Sequence, residues 1–320
     1  MKKNVLIVAV AIALLAGFGA AYALQKTNWF LKDKVNVFDK TRSETPQVVF
    51  NTRIDSTQKV EPLRISGEVT FAGERVPLED PDVFERLDRE LQVNAFWHSN
   101  TLLTMKLANR YFSDIERILA EEGVPNDFKY LPLIESGFRD VVSPSKAAGF
   151  WQFLEPTAKL YDLDVRAEVD ERYNVEKSTR AACKYLKQAK EKLGNWTLAA
   201  ASYNMGMAGM ADKCKTQQTD NYYNLLLTQE TSRYVFRMLS MKIIFSNPEA
   251  CGYYLKSEDL YQPFAYKIVT VDTPITNITA FAAQFGLQYR HIKLLNSWLR
   301  DNHMHNKERK VYEIKLMDIK

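Results

Sequence analysis

One acid stands out by its neighbours. In residues 130–153, YLPLIESGFRDVVSPSKAAGFWQF, an apolar helical run delivers Glu135 into a Ser136-Gly137 break. The chain then turns at Ser143-Pro144-Ser145 and passes Gly149 to reach Trp151-Gln152-Phe153. Apolar surroundings disfavour the charged form of a carboxyl group, and so does the negative end of the helix that carries it; Glu135 is therefore expected to titrate towards neutrality. A carboxylic acid still protonated near neutral pH can donate its proton to a leaving group. A single Glu at a helix end is more often a solvated surface group, so Glu135 needs companions before it becomes a site.

The elements that would position those companions read mostly as helices. Phe84, Leu87 and Leu91 share one helical face, and 102–122 gives a second amphipathic helix closed by Gly123 and Pro125. Asn126-Asp127 can cap the helix that carries Tyr130, Leu131 and Ile134 into Glu135. Pro156 suits the first turn of a helix through Tyr161. The strongest pattern, 175–193, places Ala181, Ala182, Tyr185, Leu186, Ala189 and Leu193 on one face before Gly194. Residues 197–203 are small and apolar, as in a helix packed tightly on its neighbours, and Met205-Gly206-Met207-Ala208-Gly209 after them reads as flexible. An aromatic-rich helix follows over 230–245. After Tyr253 the pattern becomes strand (266–271), two short helices (277–284 and 289–299) and strand (311–316).

The amino-terminal part differs. A basic Met1-Lys2-Lys3-Asn4 precedes an uncharged apolar run, 5–24, longer than a signal-peptide core, while Ala21-Tyr22-Ala23 offers a cleavage site. The segment is expected to be a membrane anchor, with a cleaved export signal as the alternative. The basic flank would stay inside and place the remainder outside the cytoplasmic membrane. Residues 25–80 show no sustained period and are expected to be a linker with one short strand near 68–71.

Composition limits the function classes. The chain has 320 residues, 46% of them hydrophobic, which is enough for a substantial core. Its 43 basic and 39 acidic residues are well mixed, giving +4, which does not argue for nucleic acid and is compatible with an anionic polymer or membrane surface; no nucleic-acid partner is expected. Cys183, Cys214 and Cys251 are too widely spaced for a zinc or redox motif, and no ligand cluster is evident among the four histidines; no metal and no cofactor are expected. Cys183, near the apolar face of its helix, is expected to be a buried free thiol, whereas Cys214 and Cys251 could pair in an oxidising compartment.

Four pieces of the central region line up: Glu135-Ser136-Gly137, Gly149-Phe150-Trp151-Gln152-Phe153, Ala201-Ser202-Tyr203-Asn204-Met205-Gly206, and Glu230-Thr231-Ser232-Arg233-Tyr234-Val235. In order and spacing they resemble the lytic transglycosylases that cleave bacterial peptidoglycan, in the membrane-bound subfamily D branch with attached LysM modules. The resemblance covers roughly 85–255. Residues 266–316 resemble a LysM module, although Val271-Asp272-Thr273-Pro274 stands where that family has G-D-T-L.

The resemblance implies a mainly α fold: a lysozyme-like, all-helical catalytic domain over 81–257, followed by a small α+β (βααβ) LysM-like domain over 262–320. It implies that Glu135 protonates the glycosidic oxygen between N-acetylmuramic acid and N-acetylglucosamine. The same group then takes the proton of the muramoyl C6 hydroxyl, whose attack on C1 closes a 1,6-anhydro ring. One carboxylate suffices, whereas a conventional glycosidase uses two, about 5–5.5 Å apart if retaining and about 6.5–9.5 Å if inverting. Asp140, Glu155, Asp162 and Asp164 lie in no motif and read as solvated groups. Ser136 would orient the acid or the substrate, and Gln152 with Asn204 would hydrogen-bond the N-acetyl groups. Tyr203 would hold Glu135 or steady the oxocarbenium ion, and Glu230 and Tyr234 would lie across the groove. Phe150, Trp151 and Phe153 read as core. The implied partners are peptidoglycan glycan strands and, through residues 5–24, the membrane, in a periplasm-facing protein of the cell envelope. The alternatives are a hydrolytic muramidase on the same fold and an inactive glycan-binding scaffold, with the LysM-like module a binder or a structural cap.

Overall fold

The computed structural model describes residues 60–319. The expected anchor or signal over 5–24 lies outside them, as does most of the expected linker. No helix among the described residues is long and apolar enough to cross a membrane.

The helical body begins earlier than 81. Strands β1 (Thr70–Phe71) and β2 (Glu74–Arg75) pair antiparallel around Ala72 and Gly73, both at positive φ. Phe71 is fully buried and sets its ring edge-on to Phe128, 5.4 Å away. The Leu63 backbone exchanges two hydrogen bonds with the Gln92 side-chain amide, at 3.1 and 2.8 Å. Residues 61–80, expected as linker with one short strand near 68–71, do carry that strand and also pack on the body: Phe71 and Val76 are buried core, and Leu63, Ile65, Val69 and Leu78 are partly buried against it.

Helices α1 (Pro81–Phe96) and α2 (His98–Glu121) follow. Asp80 caps α1 through the Asp82 N–H, with Pro81 at the position where a missing N–H costs nothing. A 3₁₀ turn, Asn126–Lys129, leads into the short α3 (Tyr130–Ser136), which Gly137 ends at φ 59°. Then come α4 (Glu155–Leu160), α5 (Val175–Leu193), α6 (Trp196–Met205), α7 (Met207–Gln217) and α8 (Gln229–Ser246). Every residue placed on the apolar face of α5 is buried, and so is Cys183. In the middle of the body, Leu198, Ala199, Ala200 and Ala201 of α6 have no exposed surface. Their small side chains let α6 approach both α5 and α8.

The start of α6 is capped twice. Asn195 accepts from the Leu198 N–H, and Glu74, reaching over from the hairpin, accepts from the Trp196 and Thr197 N–H groups at 2.6 and 2.8 Å. Helix α7 stands where a flexible stretch was expected. Gly206 breaks the chain at φ 83° and a new helix starts at once, with Met210 its only fully buried residue, too weak an apolar stripe to read.

The carboxy-terminal part is the expected βααβ unit: β3 (Tyr266–Val271), α9 (Ile278–Ala283), α10 (Tyr289–Leu295) and β4 (Tyr312–Met317). The strands pair antiparallel from Tyr266 with Met317 to Val271 with Tyr312. Asn296 ends α10 and is fully buried; its amide bonds Lys315 of β4 in both directions, each at 2.8 Å. This unit shares a core with the helical body: Ala148, Val169 and Tyr173 pack with Val271, Trp298, Leu299 and Tyr312. The seam is also bonded, through Asp170 N–H to the Trp298 carbonyl and Arg300 N–H to that of Glu168. Cys214 and Cys251 are free thiols, not a pair.

Gly149 is fixed by contact as well as conformation. It lies at φ 76°, and a Cβ there would stand 2.0 Å from the Arg172 carbonyl oxygen. Gly194 has φ 93° and open space around it. Gly149→Ala is therefore expected to lose about 2–4 kcal/mol of stability, left-handed strain and overpacking together, against about 1 kcal/mol for Gly194→Ala. Urea unfolding of the two variants measures this, and equal losses would remove the close approach as the cause.

Candidate active site

Helix α3 delivers Glu135 in its last turn, beside the left-handed Gly137. Glu135 is half-buried, and its Oε1 accepts the hydroxyl of fully buried Tyr234 on α8. Arg237, one turn further along α8, donates to the Ile134 carbonyl at 2.7 Å, satisfying an orphan acceptor at the end of α3. One face of α8 thus holds both the acid and the helix end that presents it. Oε2 has no protein donor among the described residues and is the atom left for a ligand.

Electrostatics fit an acid. Burial raises the Glu135 pKa above the ordinary carboxylate value and the like charge of Glu230 adds to the rise, while the Tyr234 hydrogen bond and the Arg237 charge oppose it. The net direction is upward, as expected from the sequence. Tyr203 and Tyr234 are themselves pushed well above 10, by burial first and by the Glu135 charge second. Both remain neutral phenols able to donate.

The other predicted residues divide. Tyr203 does not hold Glu135: its hydroxyl donates to the Trp151 carbonyl at 2.8 Å, and Tyr234 has the role expected of Tyr203. Neither does Ser136 face the acid. It is buried, its hydroxyl lying 3.0 Å from the Pro132 carbonyl and 2.9 Å from that of Phe150, so it ties α3 to the loop that follows. Gln152, at φ 49°, donates its amide to the Gly149 and Val141 carbonyls. That leaves its Oε1 without a protein donor among the described residues. Asn204 is engaged on both sides, accepting from Thr231 at 2.7 Å and donating to Glu230 at 3.0 Å. It steadies exposed Glu230 at the start of α8, and one Nδ2–H and one Oδ1 lone pair stay without a protein partner among the described residues. Phe150, Trp151 and Phe153 are buried core residues, and Trp151 donates its indole N–H to Thr179.

Supporting residues came from outside the motifs. Arg172 pairs with Asp170 at 2.7 Å and donates to the Lys146 and Phe153 carbonyls, clamping both ends of the 146–153 loop. Glu90, fully buried on α1, pairs with Arg233 at 2.6 Å and sets the position of α8. The E-T-x-x-Y-V motif contains Tyr234; Arg237 lies beyond it, three residues further along the same helix face, where helical spacing from Tyr234 is the only signal. A separate cleft of about 340 Å³ lies between the helical body and the βααβ unit, lined by Tyr111, Asp140, Tyr173, Lys177, Trp298 and Tyr312 among others. None of the seven predicted site residues lines it, so its size does not make it the reaction site.

Comparison with known proteins bears on the domains. Residues 115–226 match the transglycosylase SLT domain, and residues 267–318 match the soluble lytic transglycosylase C-terminal LysM-like domain. The chain therefore carries both domains, and the lysozyme-like helical body with a LysM-like unit is the expected fold. Membrane-bound lytic murein transglycosylase D of Escherichia coli strain K12 is 26% identical over 239 residues, 72% of this chain and 51% of that protein. The protein of the same name from Escherichia coli O6:H1 gives the same values. A putative tributyltin chloride resistance protein of Alteromonas sp. strain M-1 is 31% identical over 101 residues, 31% of this chain and 49% of that one. The chain spans about half the length of the curated relatives it matches. Glu135, Ser136, Gln152, Tyr203 and Asn204 fall inside the matched SLT region, and Glu230 and Tyr234 lie beyond it.

The raised carboxyl makes a stability prediction. The folded pKa lies above the unfolded value of about 4.3, so the folded state holds the proton more tightly, and stability falls as pH rises from the unfolded towards the folded value. Glu135→Gln removes that loss, so the variant is expected to gain thermal stability over the native protein as pH rises above the unfolded carboxyl value. A difference that does not change with pH would contradict the raised pKa. Tyr234→Phe should move the Glu135 titration, followed by carboxyl carbon NMR, further upward.

Proposed function

We propose that this chain is a peptidoglycan lytic transglycosylase that cuts the β-1,4 bond between N-acetylmuramic acid and N-acetylglucosamine, with Glu135 as its acid and base. The observation that carries this reading is a carboxyl of raised pKa, bonded on one oxygen to a neutral phenol and open on the other, within a region matching the SLT domain.

In the first half-reaction, protonated Glu135 gives its proton to the glycosidic oxygen as the bond to C1 breaks. The carboxylate it becomes is stabilised by Tyr234 donating to Oε1 and by the Arg237 charge. It then accepts the proton of the muramoyl C6 hydroxyl as that oxygen bonds C1. The proton lost in the first step is recovered in the second, and no water is consumed. Gln152 would orient the substrate through its remaining acceptor. The position of the Tyr203 hydroxyl, fixed on the Trp151 carbonyl, suits it to shaping the wall of the groove rather than to proton transfer. Glu230, charged and near the acid, is the group that would be recruited if water attacked instead, so hydrolysis remains the rival product.

The LysM-like unit supports a glycan strand as partner. The relatives named membrane-bound support an envelope location, with residues 5–24 as anchor and the described residues facing the periplasm.

Digestion of purified sacculi followed by mass spectrometry tests the reading. The native protein is expected to release 1,6-anhydromuropeptides, one water lighter than hydrolysis products. Glu135→Gln is expected to slow release by about 10²–10⁴-fold. Reducing-end products would establish the muramidase, and undiminished release by Glu135→Gln would remove the acid from the mechanism.

A further inference from the structure

The histidines, unremarkable in sequence, are brought to a carboxylate by the seam between the two units. Ile275 and Met304 exchange two backbone hydrogen bonds, at 2.9 and 2.8 Å, so the chain around Met304 is extended. In extended chain alternate side chains share a face. Met304 is buried in the shared core, and His303 and His305 both point the other way, towards Glu168 of the helical body. Glu168 is itself fixed: its carbonyl accepts from the Arg300 N–H at 2.7 Å, and its Oε2 from the His305 N–H at 2.6 Å.

With Oε2 taken, Oε1 is the meeting point. It lies 2.5 Å from His305 Nδ1 and 3.5 Å from His303 Nε2, and the three ligand atoms all fall within 4.8 Å of one another. The two rings stand 4.6 Å apart at 70°. His303 faces a second acid as well, its Nδ1 lying 3.4 Å from Asp301 Oδ1. A neutral imidazole has one N–H, yet His303 has a carboxylate oxygen opposite each nitrogen. A cation on the Glu168 side resolves this. His303 Nε2 then binds the metal with its lone pair while Nδ1–H donates to Asp301, the carboxylate–histidine–metal arrangement that fixes the tautomer and strengthens the ligand. Two imidazoles and one carboxylate suit a borderline divalent ion such as zinc, at ligand distances of about 2.0–2.2 Å. Tetrahedral bonds of that length put ligand atoms about 3.3 Å apart, so small side-chain rotations would seat the ion.

We propose that Glu168, His303 and His305 form a divalent transition-metal site of the zinc class that bridges the helical body and the LysM-like unit, with Asp301 as the positioning residue for His303. The side chains of Glu168 and His303 are 17% and 34% exposed and that of His305 62%, which leaves one side open for a water as fourth ligand. The site is structural: it reinforces the seam and lies among none of the residues assigned to glycan cleavage.

The test uses the full chain in detergent, stripped with chelator, and titrated with Zn²⁺ by calorimetry and with Co²⁺ by visible absorption. Saturable binding of one ion per chain is expected, with the Co²⁺ spectrum of a four-coordinate nitrogen and oxygen site. His303→Ala and His305→Ala, each checked by circular dichroism for native helix content, should abolish it, and Asp301→Asn should weaken it by about tenfold or more. Absence of saturable binding, which a purely protonated His–Glu clasp would give, overturns the proposal. So does binding that survives unchanged in the folded His303→Ala/His305→Ala protein, since the ion would then lie elsewhere.

Discussion

A half-buried carboxyl group with a single strong donor is the constraint on which the rest of the helical body depends. More donors on Glu135 would stabilise the anion and return its pKa to the ordinary range, and full solvation would do the same. The structure supplies one phenol, one cation at a remove, and apolar walls. Each requires a helix to be in a definite place. Tyr234 and Arg237 need α8 fixed against α3, and buried Glu90 fixes it through Arg233. Buried Glu90 is shared between Arg233 and Arg89, and a pair of this kind contributes little net stability, so it serves position more than energy.

The loop after Glu135 is held largely by backbone. Arg172 clamps it through carbonyls, Ser136 ties it to α3, and Gly149 lies where no side chain fits. Residues that look like substrate ligands in the sequence are therefore often scaffold. Asn204 and Tyr203 bond Glu230, Thr231 and Trp151 within the protein.

Legibility followed periodicity. Helix α5, with its long apolar stripe, and the alternating strands β3 and β4 were readable almost to the residue. Glu135 was readable too, because its apolar run and glycine stop are local. The partner of Glu135 was not: Tyr203 and Tyr234 are both aromatic hydroxyls in motifs, and only the packing of α6 and α8 decides which reaches Oε1. Of the hairpin, β1 falls within the strand expected near 68–71, whereas β2 was hidden because a two-residue strand carries no period, and α7 because it buries little. The grouping of His303 and His305 with Glu168 was invisible for a different reason. Over a hundred positions separate the acid from the histidines, and the seam that joins them is tertiary.

The shared core of Ala148, Val169 and Tyr173 with the βααβ unit has a geometric consequence. With no slack tether between the two units, a polymer gripped by one would meet the other at a set offset. Effective concentration at the second contact is then governed by shape alone and carries no linker-length term. Under the proposed function such a body would act as a caliper on the glycan, with the spacing between grip and cut set by the fold.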